Sequence, residues 1–298
     1  MTKKTIYKAF SLIELSIVIL IIGILVAGVT KGSTLHQKIK LSSARSVTNS
    51  SPVAYISGLS AWWESTSQDS FDADEAVNDG RLSIWNDINP QSTRKLNASQ
   101  DGADSAKPQY DKAGINGLPA VRFDGAATYF EKSYKKAFNP PIYTMFFVLQ
   151  PTIVDGTYRS PMTSRNESPG VVTGFSFYVS NTNNYSLFQG NGLSSGSGGW
   201  GVQSSSIAVQ MGEAKIITLK YDGSDITYYD KGSLKDKVTH GYETNKVRPL
   251  RVGAGSAEVD PIQYFYGGYI GEIIIFDRNL KNKEQESIEK YLVQKWGI

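Results

Sequence analysis

The chain of 298 residues contains no cysteine. Disulfides, thiolate nucleophiles and cysteine-ligated zinc are therefore excluded. Histidine is nearly absent, His36 and His240 being the two. They are too few for a histidine-rich metal site, and a Ser-His-Asp arrangement would have to rest on one or the other. An excess of charge of one sign is also lacking. The formal net charge is +3, and Lys3, Lys4 and Lys8 carry all of it. No nucleic-acid-binding face has a basic excess behind it. Beyond the first fifty residues, a part of about 240 residues buries roughly 70–75% of its unfolded surface, so a core forms without cross-links.

A long apolar run is present near the start. From Leu15 to Thr30 sixteen consecutive residues carry no charge. Extended back to Phe10, the run reaches Val29 in 20 residues, about 30 Å of helix and enough to cross a hydrocarbon core. Glu14 stands near its beginning. One reading is a secretory signal, with Leu15 to Ala27 as its apolar region and Val26-Ala27-Gly28 as a small-residue cleavage site. A second is a plain single-pass anchor. Its direction is not settled by Lys3, Lys4 and Lys8, because Lys31, Lys38, Lys40 and Arg45 lie on the other side.

A third reading uses the glutamate. The stretch "KAFSLIELSIVILIIGILVAG" at 8–28 resembles the N-terminus of type IV prepilins and type II secretion pseudopilins. The resemblance implies a leader over 1–9, cut between Ala9 and Phe10 by a prepilin peptidase, and N-methylation of Phe10. Glu14 becomes the fifth mature residue and pairs with the Phe10 amine of a neighbouring pilin subunit during assembly. The family usually has glycine before the cut, where this chain has Ala9. Glu14 lies about 6 Å along the axis from Phe10, within reach of headgroups, and a helix N-terminus favours an anion. The expectation is a pilin-type helix over 10–52. Its membrane-spanning half covers about 10–29, and Leu35, Ile39 and Val47 mark an amphipathic half. Pro52 ends it. The implied location is the bacterial inner membrane with the head in the periplasm, then a pilus or pseudopilus at the cell surface.

From 53 to 298 the texture is β. Runs such as "YTMFFVLQP", "GFSFYV" and "YIGEIIIFD" alternate with Gly, Asn, Asp, Ser and Pro. "KIITLKYDGSDITYYDKG" reads as a hairpin, with Tyr221 and Ile226 flanking Asp222-Gly223-Ser224-Asp225. A short helix is expected from about Lys283 to Lys295, with Ile288, Tyr291, Leu292 and Trp296 on one side. The segments "LSAWWES", "LSIWNDIN", "GINGLPAVRFDG", "YGGYIGEIIIFDRNL" and "EKYLVQKWGI" resemble the concanavalin A-like or laminin-G-like β-sandwich. That resemblance implies a jelly-roll head and leaves its function open among lectins, adhesion modules and glucanases.

For function, Trp200 follows the flexible "NGLSSGSGG" stretch. An exposed indole is an apolar platform for a sugar ring, while a Trp opening a strand is equally placed for the core. Trp62, Trp63, Trp85 and Trp296 fall in fold-defining segments and are assigned to the core. Asp72, Asp74 and Glu75 in "FDADE" are read as a solvated acidic turn, with calcium as the alternative. No other cofactor is expected. Retaining glucanases need two carboxylates on one side about 5–5.5 Å apart. Glu272 and Asp277 are an odd number of residues apart, which points them to opposite faces, and no catalytic residue is assigned. The expected function is a pilin or pseudopilin subunit with a lectin-like, glycan-binding head. The alternatives are a secreted or membrane-tethered lectin that does not polymerise and a β-glucanase.

Overall fold

The computed structural model describes residues 12–168, 170–194, 197–256 and 262–298. It divides after Ser43 into two units. Helix α1 (Leu12–Asn49) runs through all of the described part of the first. Pro52 disfavours helical geometry at Ser51, which is extended (φ −67°, ψ 150°), and opens a 3-10 turn over Pro52–Ala54.

The side chains at 15–22 are exposed, and so are Leu35 and Ile39. No helix among the described residues is long and apolar enough to cross a membrane. The expected division into a membrane-spanning and an amphipathic half is therefore corrected, and inner-membrane placement has no span to rest on. The prepilin and pseudopilin reading falls with it. Ala9 and Phe10 lie outside the described residues, and Glu14 falls within α1.

The second unit is an all-β sandwich with one long helix on its surface. Among its described residues are two antiparallel eight-stranded sheets. The first is ordered β14 (Ser233–Thr239), β13 (Asp225–Asp230), β12 (Lys215–Tyr221), β7 (Tyr143–Pro151), β18 (Gly267–Phe276), β5 (Leu118–Asp124) and β4 (Gln109–Ile115), and β1 (Leu59–Glu64) also pairs with β18. The second is ordered β11 (Trp200–Ala208), β10 (Asn184–Gly190), β9 (Val171–Val179), β8 (Arg159–Ser168), β15 (Leu250–Val252), β6 (Phe130–Lys132), β3 (Ala98–Ser99) and β2 (Ile84–Trp85). A small ladder joins β16 (Gly255–Ser256) to β17 (Ile262–Gln263).

Alternation of side chains builds two cores. Met145, Phe147 and Leu149 of β7 face the second sheet, while Phe146 and Val148 face the other way into a second cluster. This is why β7 reads as an almost unbroken apolar run. The second cluster is closed by α2 (Asn282–Trp296), which contributes Ile288, Tyr291, Leu292 and Trp296. Glu284 at its start accepts from the Lys281 amide at 2.9 Å. Gly297 ends it in the left-handed region (φ 65°), donating to the Val293 carbonyl. Turn chemistry sets the connections. Tyr221 pairs with Ile226 across β12 and β13, and the Asp222 carboxylate accepts from the amides of Ser224 and Asp225. Asn116 and Gly117, both at positive φ, join β4 to β5.

Candidate functional site

In the second sheet, Met162, Phe175, Phe177, Val179, Tyr185, Leu187, Leu250, Val252 and Phe130 all enter the inter-sheet core. Their neighbours along each strand must then point to the outer face. Register aligns Ser99, Glu131, Arg251, Thr163, Ser176 and Phe188 in one row across six strands. One pleat further on, Arg165 lies opposite Gly174 and Trp200 opposite Gly190. With glycine facing each, Arg165 and Trp200 can meet from non-adjacent strands. The Arg165 guanidinium carbon sits 4.6 Å from the indole centroid, within cation–π range.

Glu167 ties this pair together. It accepts a hydrogen bond from Trp200 Nε1 at 2.9 Å and is ion-paired with Arg165 Nη2. Arg165 Nη1 donates to the Tyr178 hydroxyl at 3.3 Å, and its buried Nε has no partner among the described residues. The side chains of Arg165 and Glu167 are only 11% and 8% exposed, so their charges attract in a medium of reduced dielectric. Burial opposes the charge on Arg165, but Tyr178 and Glu167 hold its pKa above the ordinary value. Burial likewise pushes the Tyr178 phenol up, opposed by Arg165.

Tyr178 is the centre of an aromatic cluster that belongs to neither core. Tyr158, Phe188 and Tyr264 meet its ring edge-to-face at 5.3, 5.1 and 5.6 Å. All three are half-buried, as is Trp200. Tyr264 has φ +56°, a region costly for a bulky side chain. Its carbonyl accepts from the Ser160 amide at 2.7 Å, which fixes the backbone that carries the ring. Beside the cluster, Ser186 and Ser204 share a hydrogen bond at 3.0 Å. Towards the other end of the face, Arg251 Nε and Glu131 Oε2 form a second ion pair at 2.8 Å. The face thus offers aromatic rings, hydroxyls and two matched arginine–glutamate pairs.

Trp200 is the residue on this face that the sequence singles out, and its glycine-rich approach was the signal. Arg165, Glu167, Tyr178 and Tyr264 were missed. Tyr178 lies within the run "GFSFYV" without being marked out there, the others fall in no quoted segment, and only the fold brings them together. The other four tryptophans are at most 3% exposed and lie in the cores. Asp72 and Asp74 are exposed, and the Glu75 carboxylate accepts from the Ser83 amide and hydroxyl. No group of three His, Cys, Asp or Glu among the described residues could hold a metal ion. Asp277 is exposed, whereas Glu272 is buried. Glu272 pairs across the ladder with Glu64, and both carboxylates, wholly buried, bind Lys295. Two clefts lie elsewhere. One of about 350 Å³ is lined by Asp69, Asn86, Asp87, Ile88, Lys95 and Asn97. Its Asp87 carboxylate is already occupied by the amides of Trp62, Asn89 and Leu96. The other, of about 220 Å³, includes Lys220, Asp222, Tyr229 and Lys237.

No family model and no curated protein matches the chain. Solved structures do share the fold. Domain 4 of AbnA, a GH43 extracellular arabinanase from Geobacillus stearothermophilus, in complex with arabinotriose, is similar at 13% identity and TM-score 0.52, over 78% of this chain and 98% of that one. The binding domain of Paraclostridial Mosquitocidal Protein 1 is similar at 11% identity and TM-score 0.56, over 80% of this chain and 55% of that one. Trypanosoma rangeli sialidase in complex with sialic acid follows at 11% identity and TM-score 0.50, over 80% of this chain. The chain spans about a third of the length of the sialidase chains it matches. At these identities the likeness establishes the β-sandwich, and it lends nothing to the prepilin expectation.

Proposed function

We propose that the sandwich is a carbohydrate-binding module that holds glycan on the outer face of its second sheet and does not cleave it. The observation that carries this reading is the half-buried aromatic strip of Trp200, Phe188, Tyr158 and Tyr264 around Tyr178, outside both cores. Rings left at a surface, with polar groups close by, present the apolar faces and hydrogen-bonding partners that a sugar needs. A domain of similar fold, covered over 98% of its length, has been solved in complex with arabinotriose, which accords with the reading without identifying the sugar. The carboxylates support the non-catalytic part of the reading. Glu131 and Glu167 are each engaged by an arginine, and the Glu64–Glu272 pair is closed to solvent.

The test uses the purified chain on an array of neutral and acidic oligosaccharides, followed by calorimetric titration of the hits. Trp200 is the one tryptophan of the five that is not buried, so binding should also change the intrinsic fluorescence. Trp200→Ala should weaken binding by about thirtyfold, or ~2 kcal/mol, as expected for an aromatic anchor. No binding to any glycan, or unchanged affinity in the variant, overturns the assignment. Release of reducing ends from a bound oligosaccharide overturns the non-catalytic part alone.

A further inference from the structure

The charge pattern of the same face narrows the class of sugar, and this step rests on the carbohydrate-binding reading. Two arginines of the face, towards its two ends, are each paired with a glutamate: Arg165 with Glu167, and Arg251 with Glu131 at 2.8 Å. From the reading of register, Glu131 on β6 and Trp200 on β11 lie five strand spacings apart in the sheet order β6-β15-β8-β9-β10-β11, about 24 Å at ~4.8 Å per strand. That is far longer than one sugar ring.

We propose that the ligand is an uncharged oligosaccharide, seated across the strands and read by the two arginine–glutamate pairs, and that acidic sugars are rejected. Hydroxyl groups both donate and accept, so a neutral sugar can satisfy a guanidinium and its carboxylate together. A sugar carboxylate brought to either arginine would also lie beside Glu167 or Glu131. The arginine's attraction is already spent on the glutamate, and the added anion meets repulsion where Arg165 and Glu167 are only 11% and 8% exposed. Trp200 supplies the apolar surface, with the Arg165 guanidinium held 4.6 Å from the indole centroid. Like charge placed against the wrong ligand is a common route to specificity.

The experiment titrates the full chain with two series by calorimetry: arabino-, xylo- and cello-oligosaccharides as neutral probes, and oligogalacturonides and sialyllactose as acidic ones. The expected result is at least tenfold tighter binding of a neutral probe than of any acidic one, with affinity rising from disaccharide to longer members of that series. Binding should change little with salt, because the pairs leave no net charge to screen. Glu131→Gln, at a carboxylate that is 38% exposed and so tolerant of change, should narrow the preference by improving acidic binding. Glu167→Gln is the second variant, compared with wild type only after a matching melting curve. Equal or tighter wild-type binding of an acidic probe, or affinity that saturates at a single sugar, overturns this inference and leaves the broader function standing. Binding of none of the probes overturns both.

Discussion

At the scale of the residue, the outer face depends on groups held where their own preferences would not put them. Tyr264 is the clearest instance, with a bulky side chain at φ +56°. The left-handed region costs an ordinary residue roughly 1–2 kcal/mol and costs glycine almost nothing. Strain of this kind persists where the surroundings over-determine the backbone, and it gathers at functional positions. Tyr264 is held by the hydrogen bond from the Ser160 amide and by its contacts with Tyr158 and Tyr178 at 6.2 and 5.6 Å. Two truncations separate ring from backbone. Tyr264→Ala and Tyr264→Gly remove the same ring contacts, but only glycine relieves the strain. Tyr264→Gly should therefore be about 1 kcal/mol more stable than Tyr264→Ala in chemical denaturation, and both should bind glycan more weakly than wild type. An alanine variant as stable as the glycine one would show that the backbone is not strained there. Nothing in the sequence announces this residue, because a positive φ at tyrosine leaves no compositional mark. Trp200 was legible because glycine and serine precede it and loosen the chain ahead of a large ring.

At the scale of the element, α2 is fastened by polar groups as much as by its apolar face. Ile288, Tyr291, Leu292 and Trp296 face the second core, as their spacing in the sequence requires. Beneath them Lys295 Nζ binds Glu64 Oε1 and Glu272 Oε2, the latter at 2.9 Å. Trp62 and Trp296 donate their indole N–H groups to Glu272, at 2.7 and 3.0 Å. The Tyr291 hydroxyl donates to the same residue at 2.7 Å, and burial pushes that phenol far above its ordinary pKa. A buried ion cluster of this kind adds little net stability over an apolar filling, but losing one member leaves charge unpaired in the interior. Lys295→Met should therefore cost roughly 3–5 kcal/mol in urea denaturation. Neutralising both acids as well, in Lys295→Met with Glu64→Gln and Glu272→Gln, should recover part of that loss, since contacting residues are not additive. A triple variant less stable than Lys295→Met would refute the unpaired-charge explanation. In the sequence Glu272 was considered together with Asp277 as a catalytic pair and set aside. Its true partners, Glu64 and Lys295, are 208 and 23 positions away, and pairing at such distance is a product of topology that no local pattern encodes.

At the scale of the whole molecule, the β-sandwich was readable in the sequence and the N-terminal segment was misread. Alternation and turn residues dictate strands wherever they occur, so "KIITLKYDGSDITYYDKG" closes as the hairpin its composition demands. Hydropathy at 10–29 instead suggested a membrane helix, and among the described residues no helix meets that requirement. The candidate site was the least legible part, because its row of residues is drawn from strands β3, β6, β15, β8, β9 and β10, scattered over much of the chain. That same dispersion has a thermodynamic consequence. A ligand laid across these strands loses all of its contacts when the second sheet unfolds, so it binds the native state and not the unfolded one. Linkage then sets the gain: a glycan at 100 times its Kd adds about 2.7 kcal/mol to the unfolding free energy. For a unit of this size each kcal/mol raises the melting temperature by roughly 2–4 °C, so saturation should raise it by about 5–10 °C. Calorimetric scans of the purified chain with and without the tightest neutral oligosaccharide measure the shift. Trp200→Ala, binding about thirtyfold more weakly, should show only about a third of it at the same glycan concentration. An equal shift in the variant would mean that the sugar binds elsewhere on the sandwich, since the aromatic strip would then contribute nothing to the native state's advantage.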